Sequence, residues 1–218
     1  MRSGAVNWGG TGSTTVTGPN GIVAELDPGG HYVWGTIIPT GEPQRTGAAV
    51  GASGTAVMTF EKSDSDGTSL LSDGGTDGGA MVTWSRTIAK ISSSGQTLWS
   101  DATDYAHETS GYEEDVAGAR WVVLDAAEDA LVGGNFNGTL RLGSTTIQSA
   151  GSLDAYVQVR DPSGRLKAAG RWGGPGTDNL TSLAVDASGN AILLGFSGPP
   201  PGSSSSTSTQ FFVAKLGR

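Results

Sequence analysis

The chain has 218 residues, 36 of them glycine, with no cysteine and a formal net charge of −8. The missing cysteine excludes a disulfide framework and a thiolate metal site, and an acidic chain with no Lys/Arg cluster is a poor non-specific binder of nucleic-acid phosphates. Charged residues make up only 16 %, and the glycine, which has no collagen period, is mixed with Val, Ile, Leu, Thr and Ser, so many short strands joined by tight turns are expected. No apolar run approaches about 18 residues, so no membrane span is expected. Met1 to Trp8 lack the apolar stretch of a signal peptide.

Taken in chain order, the strands fall into a recurring unit. The first piece, residues 5–38, carries Ile22–Leu26, a turn at Asp27-Pro28-Gly29-Gly30, and the strand His31–Ile38. Residues 46–101 hold two apolar runs around Gly51–Gly54, then Thr87–Ile91, the turn Ser92–Gly95 and the strand Gln96–Ser100. The same order returns over 117–173, with Val122–Leu124, Asp125–Asp129, Ala130–Gly133, then Tyr156–Arg160, Asp161–Gly164 and Arg165–Trp172. A last piece, 180–218, carries Leu183–Val185, Asp186–Asn190, Ala191–Gly195 and Phe212–Leu216. Each complete unit reads as a four-stranded antiparallel meander, and the turn glycines Gly30, Gly95 and Gly164 recur after 65 and 69 residues. The first piece is expected to hold only strands two to four of the unit, and the last only strands one to three. Asp accepting backbone hydrogen bonds, Pro fixing φ and Gly allowing positive φ account for the turn compositions.

Repeated Gly-rich meanders read as β-propeller blades that survive only by stacking on one another. The expected architecture is therefore all-β, a single propeller domain or a segment of a larger, partial ring over residues 1–218. Arg171-Trp172-Gly173-Gly174-Pro175-Gly176-Thr177-Asp178, Leu183-Ala184-Val185-Asp186-Ala187-Ser188-Gly189-Asn190 and Phe211-Phe212-Val213-Ala214-Lys215-Leu216 resemble the SBBP repeat. The match is close over residues 171–218 and fair over 122–174, where Glu128-Asp129 replaces Gly-Asn. It is poor over 46–101. The resemblance implies a bacterial, often secreted or cell-surface, propeller module and no catalytic residues.

A meander sends alternate turns to opposite ends. One end has minimal turns; the other carries long loops at Ser63 to Gly79, Asn137 to Ser152 and Gly198 to Thr209 and a connection at Asp101 to Glu114. Long loops on a rigid scaffold are where binding usually sits, so a protein or glycan ligand is expected there. Trp84, Tyr105, His107 and Tyr112 are the candidate contacts, Trp84 as a stacking platform. Asp64, Asp66, Asp73 and Asp77 could supply oxygens to Ca²⁺, without the spacing of an EF-hand; a solvated polar loop is the plainer reading, and no other cofactor is called for. Trp34 and Trp99 stand four residues after their turn glycines, a repetition that points to packing between blades. No nucleophile elbow, phosphate loop or two-histidine zinc motif is present. Two other roles stay open. One is a structural segment that completes a ring with other chains, and the other an enzyme (a lyase or hydrolase) using acids around a channel.

Overall fold

The computed structural model describes residues 3–7, 13–17, 21–38, 46–63, 84–105, 118–200 and 209–217. Its strands are β1 (Ser3–Asn7), β2 (Ser13–Thr17), β3 (Gly21–Leu26), β4 (Tyr32–Ile38), β5 (Thr46–Val50), β6 (Ala56–Ser63), β7 (Trp84–Ile91), β8 (Thr97–Tyr105), β9 (Gly118–Leu124) and β10 (Ala130–Phe136). They continue with β11 (Thr139–Leu142), β12 (Thr145–Gln148), β13 (Asp154–Arg160), β14 (Leu166–Trp172), β15 (Asp178–Val185), β16 (Ala191–Ser197) and β17 (Gln210–Leu216). The two expected meanders are present as β5-β6-β7-β8 and β9-β10-β13-β14, and the last piece is the three-stranded sheet β15-β16-β17. The protein is all-β, with several antiparallel sheets and no closed barrel or ring among the described residues.

The N-terminal piece differs from expectation. It forms two separate ladders, β1-β2 and β3-β4, rather than one three-stranded sheet. Ser13-Thr14-Thr15-Val16-Thr17 is a largely polar strand, and it pairs with the equally short β1 across the glycine-rich stretch 9–12 instead of with the apolar β3.

The repeat holds down to register. Ile88 of β7 faces Thr59, Val157 of β13 faces Gly133 and Val213 of β17 faces Leu194, each at the same place in its ladder. Val23, Ile88 and Val157 face Thr36, Asp101 and Gly170 on the following strand. A bulge interrupts those three hairpins at one equivalent point, Glu25/Leu26, Lys90/Ile91 and Val159/Arg160, just before the turn. Because side chains alternate faces along a strand, equal register makes each sheet present equivalent faces to its neighbours.

Those faces are what the sheets bury. Along β6, Met58 and Phe60 enter a cluster with Val23 and Trp34 of the β3-β4 ladder, while Val57 faces Ala119, Val122 and Val132 of the next sheet. On β10 the same alternation puts Val132 on one side and, on the other, Leu131, which packs with Leu180, Leu183 and Leu193. The core is thus a series of apolar layers between successive sheets. Each fully buried aliphatic side chain in it contributes roughly 1.5–3 kcal/mol.

Tryptophans lock adjacent sheets at one end. Trp34 Nε1 donates to Ser93 O at 2.8 Å, and Trp99 Nε1 to Pro162 O at 3.0 Å, the equivalent carbonyl one sheet on. Each indole lies flat against the turn glycine of that next sheet, where a Cβ on Gly95 or Gly164 would stand 2.7 Å from a ring atom.

The loop expected at Asn137 to Ser152 is instead the β11-β12 hairpin. Leu140 and Leu142 point inward against Phe136 and Tyr156, and Gly143 makes the turn with φ +61°. β11 also pairs with β8, so the hairpin extends the preceding meander to six strands, β12-β11-β8-β7-β6-β5. A strand edge that would otherwise be open at that point is thereby occupied. The alternation Thr-Leu-Arg-Leu followed by Gly-Ser is a hairpin signal, and it turns a supposed binding loop into a structural one.

At the first-to-second and third-to-fourth turns, Gly30, Gly54, Gly95, Gly164 and Gly189 all have positive φ. The equivalent residue in the remaining turn is Glu128, at φ +61°, a conformation that costs a side-chain-bearing residue about 1–2 kcal/mol. Its carboxylate accepts from Ser53 N (2.9 Å) and Thr55 Oγ1 (2.7 Å) on the neighbouring sheet's turn and meets the buried Lys90 ammonium at 3.1 Å. Hydrogen bonds from Ser53 and Thr55, with Lys90 adding to them, hold the Glu128 carboxyl at about 2. A depressed carboxylate adds stability that is complete above its unfolded value of 4.5 and is lost as pH falls toward 2. Urea unfolding should therefore show Glu128→Gln losing on the order of 1–3 kcal/mol at pH 6 and much less at pH 2.5. A variant curve parallel to wild type across that range would refute the assignment.

Candidate functional site

The strand ends opposite the tight turns carry the β11-β12 hairpin and the link from β14 to β15. Of the ligand contacts expected there, Trp84 and Tyr105 are brought together: they are direct partners across β7 and β8, and Tyr105 also faces Leu140 of β11. His107, Tyr112 and the proposed calcium ligands Asp64, Asp66, Asp73 and Asp77 lie outside the described residues.

A polar cavity of about 470 Å³ opens at this end, between the third and fourth sheets, lined by Arg171, Trp172, Gly173, Gly174, Asp178 and Ser197. Every lining residue sits at a strand end or in the link from β14 to β15. Trp172 closes β14, Asp178 opens β15 and Ser197 closes β16. The glycine-rich link Gly173-Gly174-Pro175-Gly176 lets the backbone turn sharply and leaves the cavity free of side chains on that wall. Gly173 has φ +150° and lies directly on Asp154, whose Oδ1 would be 2.4 Å from any Cβ there.

Two buried carboxylates hold the cavity in shape. Asp178 Oδ2 accepts from Gly174 N at 2.7 Å, which pins the link. Asp154 Oδ2 accepts from Ala150 N at 2.6 Å and pairs with Arg171 Nη1 at 2.9 Å, while Oδ1 is buried with no partner. Arg171 Nη1 also donates to Gly173 O at 2.8 Å. The Trp172 ring stacks on Phe212 at 3.5 Å between centroids, 29° from parallel. One wall therefore offers an aromatic ring, a guanidinium held by a buried acid, and backbone polar groups.

None of these residues was singled out as a contact from sequence, although Arg171 to Asp178 carries the resemblance described above. The readable signal was an Arg-Trp pair and an Asp flanking a run of glycines, a combination that brings polar groups to an uncrowded wall.

At the opposite end, the acids serve turns. Asp27, Asp161 and Asp186 have carboxyls held below the usual range, chiefly by hydrogen bonds from His31 N, the Ser163 side chain and the Asn190 side chain respectively. His31 stays exposed, its Nδ1 3.1 Å from Asp27 Oδ2. Among the described residues no group of three or more His, Asp or Glu side chains is arranged to hold a metal, and no helix is long and apolar enough to cross a membrane.

No family model matches the chain, and no curated protein matches it.

Removing Arg171 strands a carboxylate that is fully buried. Arg171→Ala should cost about 3 kcal/mol, and Asp154→Asn in the same chain should restore more than half of that. Thermal unfolding of both variants tests this; an Arg171→Ala protein as stable as wild type would show that the pair does not shape the cavity.

Proposed function

We propose that the stacked sheets are blades of a β-propeller, as the SBBP-like phrases imply. We read the chain as a non-catalytic module that recognises a protein or a glycan through its loop-rich end. The polar cavity at Arg171–Asp178 carries this reading. Binding sites on rigid scaffolds combine an aromatic surface with a few fixed polar groups, and this cavity has both on strand ends whose positions are set by the stack. Asp154 and Asp178 accept backbone amides there, a positioning role that needs no turnover. Trp84 and Tyr105, paired at the same end of the second sheet, extend the proposed surface. A bacterial cell-surface or secreted setting belongs to the proposal through the resemblance alone.

The test is a glycan and surface-protein binding screen with a plugged variant. A Cβ on Gly174 meets nothing within 4 Å, so Gly174→Phe should fold normally and fill the cavity. A ligand captured by wild type should lose at least about tenfold in affinity. Absence of any ligand, or binding that the plug leaves untouched, counts against the reading.

A second reading rests on a different observation. Val213 is 72 % exposed and Phe211 84 %, whereas Ile88 and Val157, the equivalents of Val213, are 0 % and 5 % exposed beneath the next sheet. The outer face of β16-β17, with Leu194 opposite Val213, is shaped for one more sheet. On this reading the chain continues its stack through another chain of the same kind. Sedimentation should then show concentration-dependent association that Phe211→Ser with Val213→Asp abolishes; a monomer at every concentration would reject it.

A further inference from the structure

The tryptophan lock is repeated at two interfaces and absent at the third. Trp34 seats against the second sheet in a cluster that includes Ala56 and Ile91. Trp99 seats against the third, in a cluster that includes Ala130. Trp34 and Trp99 each stand four residues beyond a turn glycine, Gly30 and Gly95; the residue four beyond Gly164 is Ala168. On the fourth sheet, the positions matching Ala56 and Ile91 are Ala191 and Leu216, as their ladder registers show: Ala56 pairs with Ile91 and Ala191 with Leu216.

A cavity of about 250 Å³ lies at this place. Ala168, Leu131, Val157 and Val159 of the third sheet and Ala191 and Leu216 of the fourth line it. Its walls are apolar side chains and glycine backbone, with no charged group. The interface keeps the apolar pair that packs beside the indole, Ala191 and Leu216, and has an alanine where the indole stands; the described residues of the fourth sheet include no counterpart of the turn glycine or of the accepting carbonyl.

We propose that this recess is a binding site for a flat, uncharged aromatic molecule of indole size. Shape supports the choice of ligand. At the two other interfaces an indole fills the space beside the neighbouring sheet, and here Ala191 and Leu216 stand at the registers of Ala56 and Ile91 around the methyl of Ala168. Chemistry supports it as well. An apolar recess between two sheets, open to solvent at Ala168 and Gly217, favours an apolar ring, and the lining holds no partner that would neutralise a ligand's charge. The site is separate from the polar cavity at the other end of these sheets and does not depend on the function proposed for it.

Indole itself is the probe, titrated into the full chain and followed by amide chemical shifts and thermal unfolding. Saturable shifts are expected at Ala168, Ala191 and Leu216, with a ligand-dependent rise in unfolding temperature. Ala168→Trp supplies the missing ring from within and should abolish the response and raise the unfolding temperature of the ligand-free protein. Ala168→Leu is a smaller plug that should weaken indole at least about tenfold, which keeps the test decisive should the tryptophan variant fold poorly. Indole-3-acetate, which carries a charge, should bind far more weakly than indole. No saturable shift with indole, shifts that persist in Ala168→Leu, or equal binding of the charged analogue would each overturn the proposal.

Discussion

Val57 and Met58 are neighbours in sequence and belong to different cores. Val57 points into the layer shared with β9 and β10, and Met58 into the layer shared with β3 and Trp34. A strand that is apolar on both faces cannot satisfy itself within one sheet, because each sheet covers only itself edge to edge. Stacking on both sides is the constraint from which the rest follows. It explains the near-continuous apolar runs, the equal registers of β7, β13 and β17, and the cost of leaving a terminal face bare at Phe211 and Val213.

Much of this was legible because the physics is local. Turn residues declare themselves by φ, and Asp-Pro-Gly-Gly or Asp-Ala-Ser-Gly between apolar runs fixes a hairpin and its register. Trp34 and Trp99 were readable as packing residues for the same reason: their spacing from the turn glycine repeats. The β11-β12 hairpin carries its own turn signal, but its place in the fold was missed because β8, the strand it docks on, is not its sequence neighbour. Thr139–Gln148 belongs by chain order to the third unit, yet it pairs with β8 of the second. The polar cavity was hidden in a similar way, since Ser197 reaches the Arg171–Asp178 link only once β16 lies beside β15. Its acids also act on backbone amides a few residues away rather than through any recognisable motif.

Glu128 shows what a departure from the repeat can mean. In sequence, Glu128-Asp129 is a mismatch to Gly189-Asn190 and weakens the likeness between units. In the structure, the backbone keeps the left-handed turn that glycine makes elsewhere, and the side chain reaches across to Ser53, Thr55 and Lys90. The strain at φ is small beside what would be lost if the Lys90 ammonium were buried without a partner, which costs about 3–5 kcal/mol. Lys90 at this register and Glu128 in the turn of the next sheet therefore make sense only as a pair.

Polar contacts of this kind fix what apolar layers leave free. Two smooth aliphatic faces bury almost the same area when one slides along the other, so area alone sets the order of the sheets but not their alignment. Lys90–Glu128 joins the second sheet to the third at the turn end, and Arg160–Asp101, at 2.6 Å, joins them again from the third sheet's side. Between the third and fourth sheets, Asn135 takes over: Leu180 N donates to its Oδ1 at 2.7 Å, and its Nδ2 donates to Asn179 Oδ1 at 2.6 Å, at the bulge that breaks the β15-β16 ladder. A buried amide or charge loses its partner after a slip of one residue, and the loss exceeds anything the apolar layer regains. Both of these interfaces thus have an apolar area that holds them shut and a few partly or fully buried polar groups that say where. The two cavities lie between the same pair of sheets, one at each end. The clasp at Asn135 sets the alignment on which the shapes of both depend.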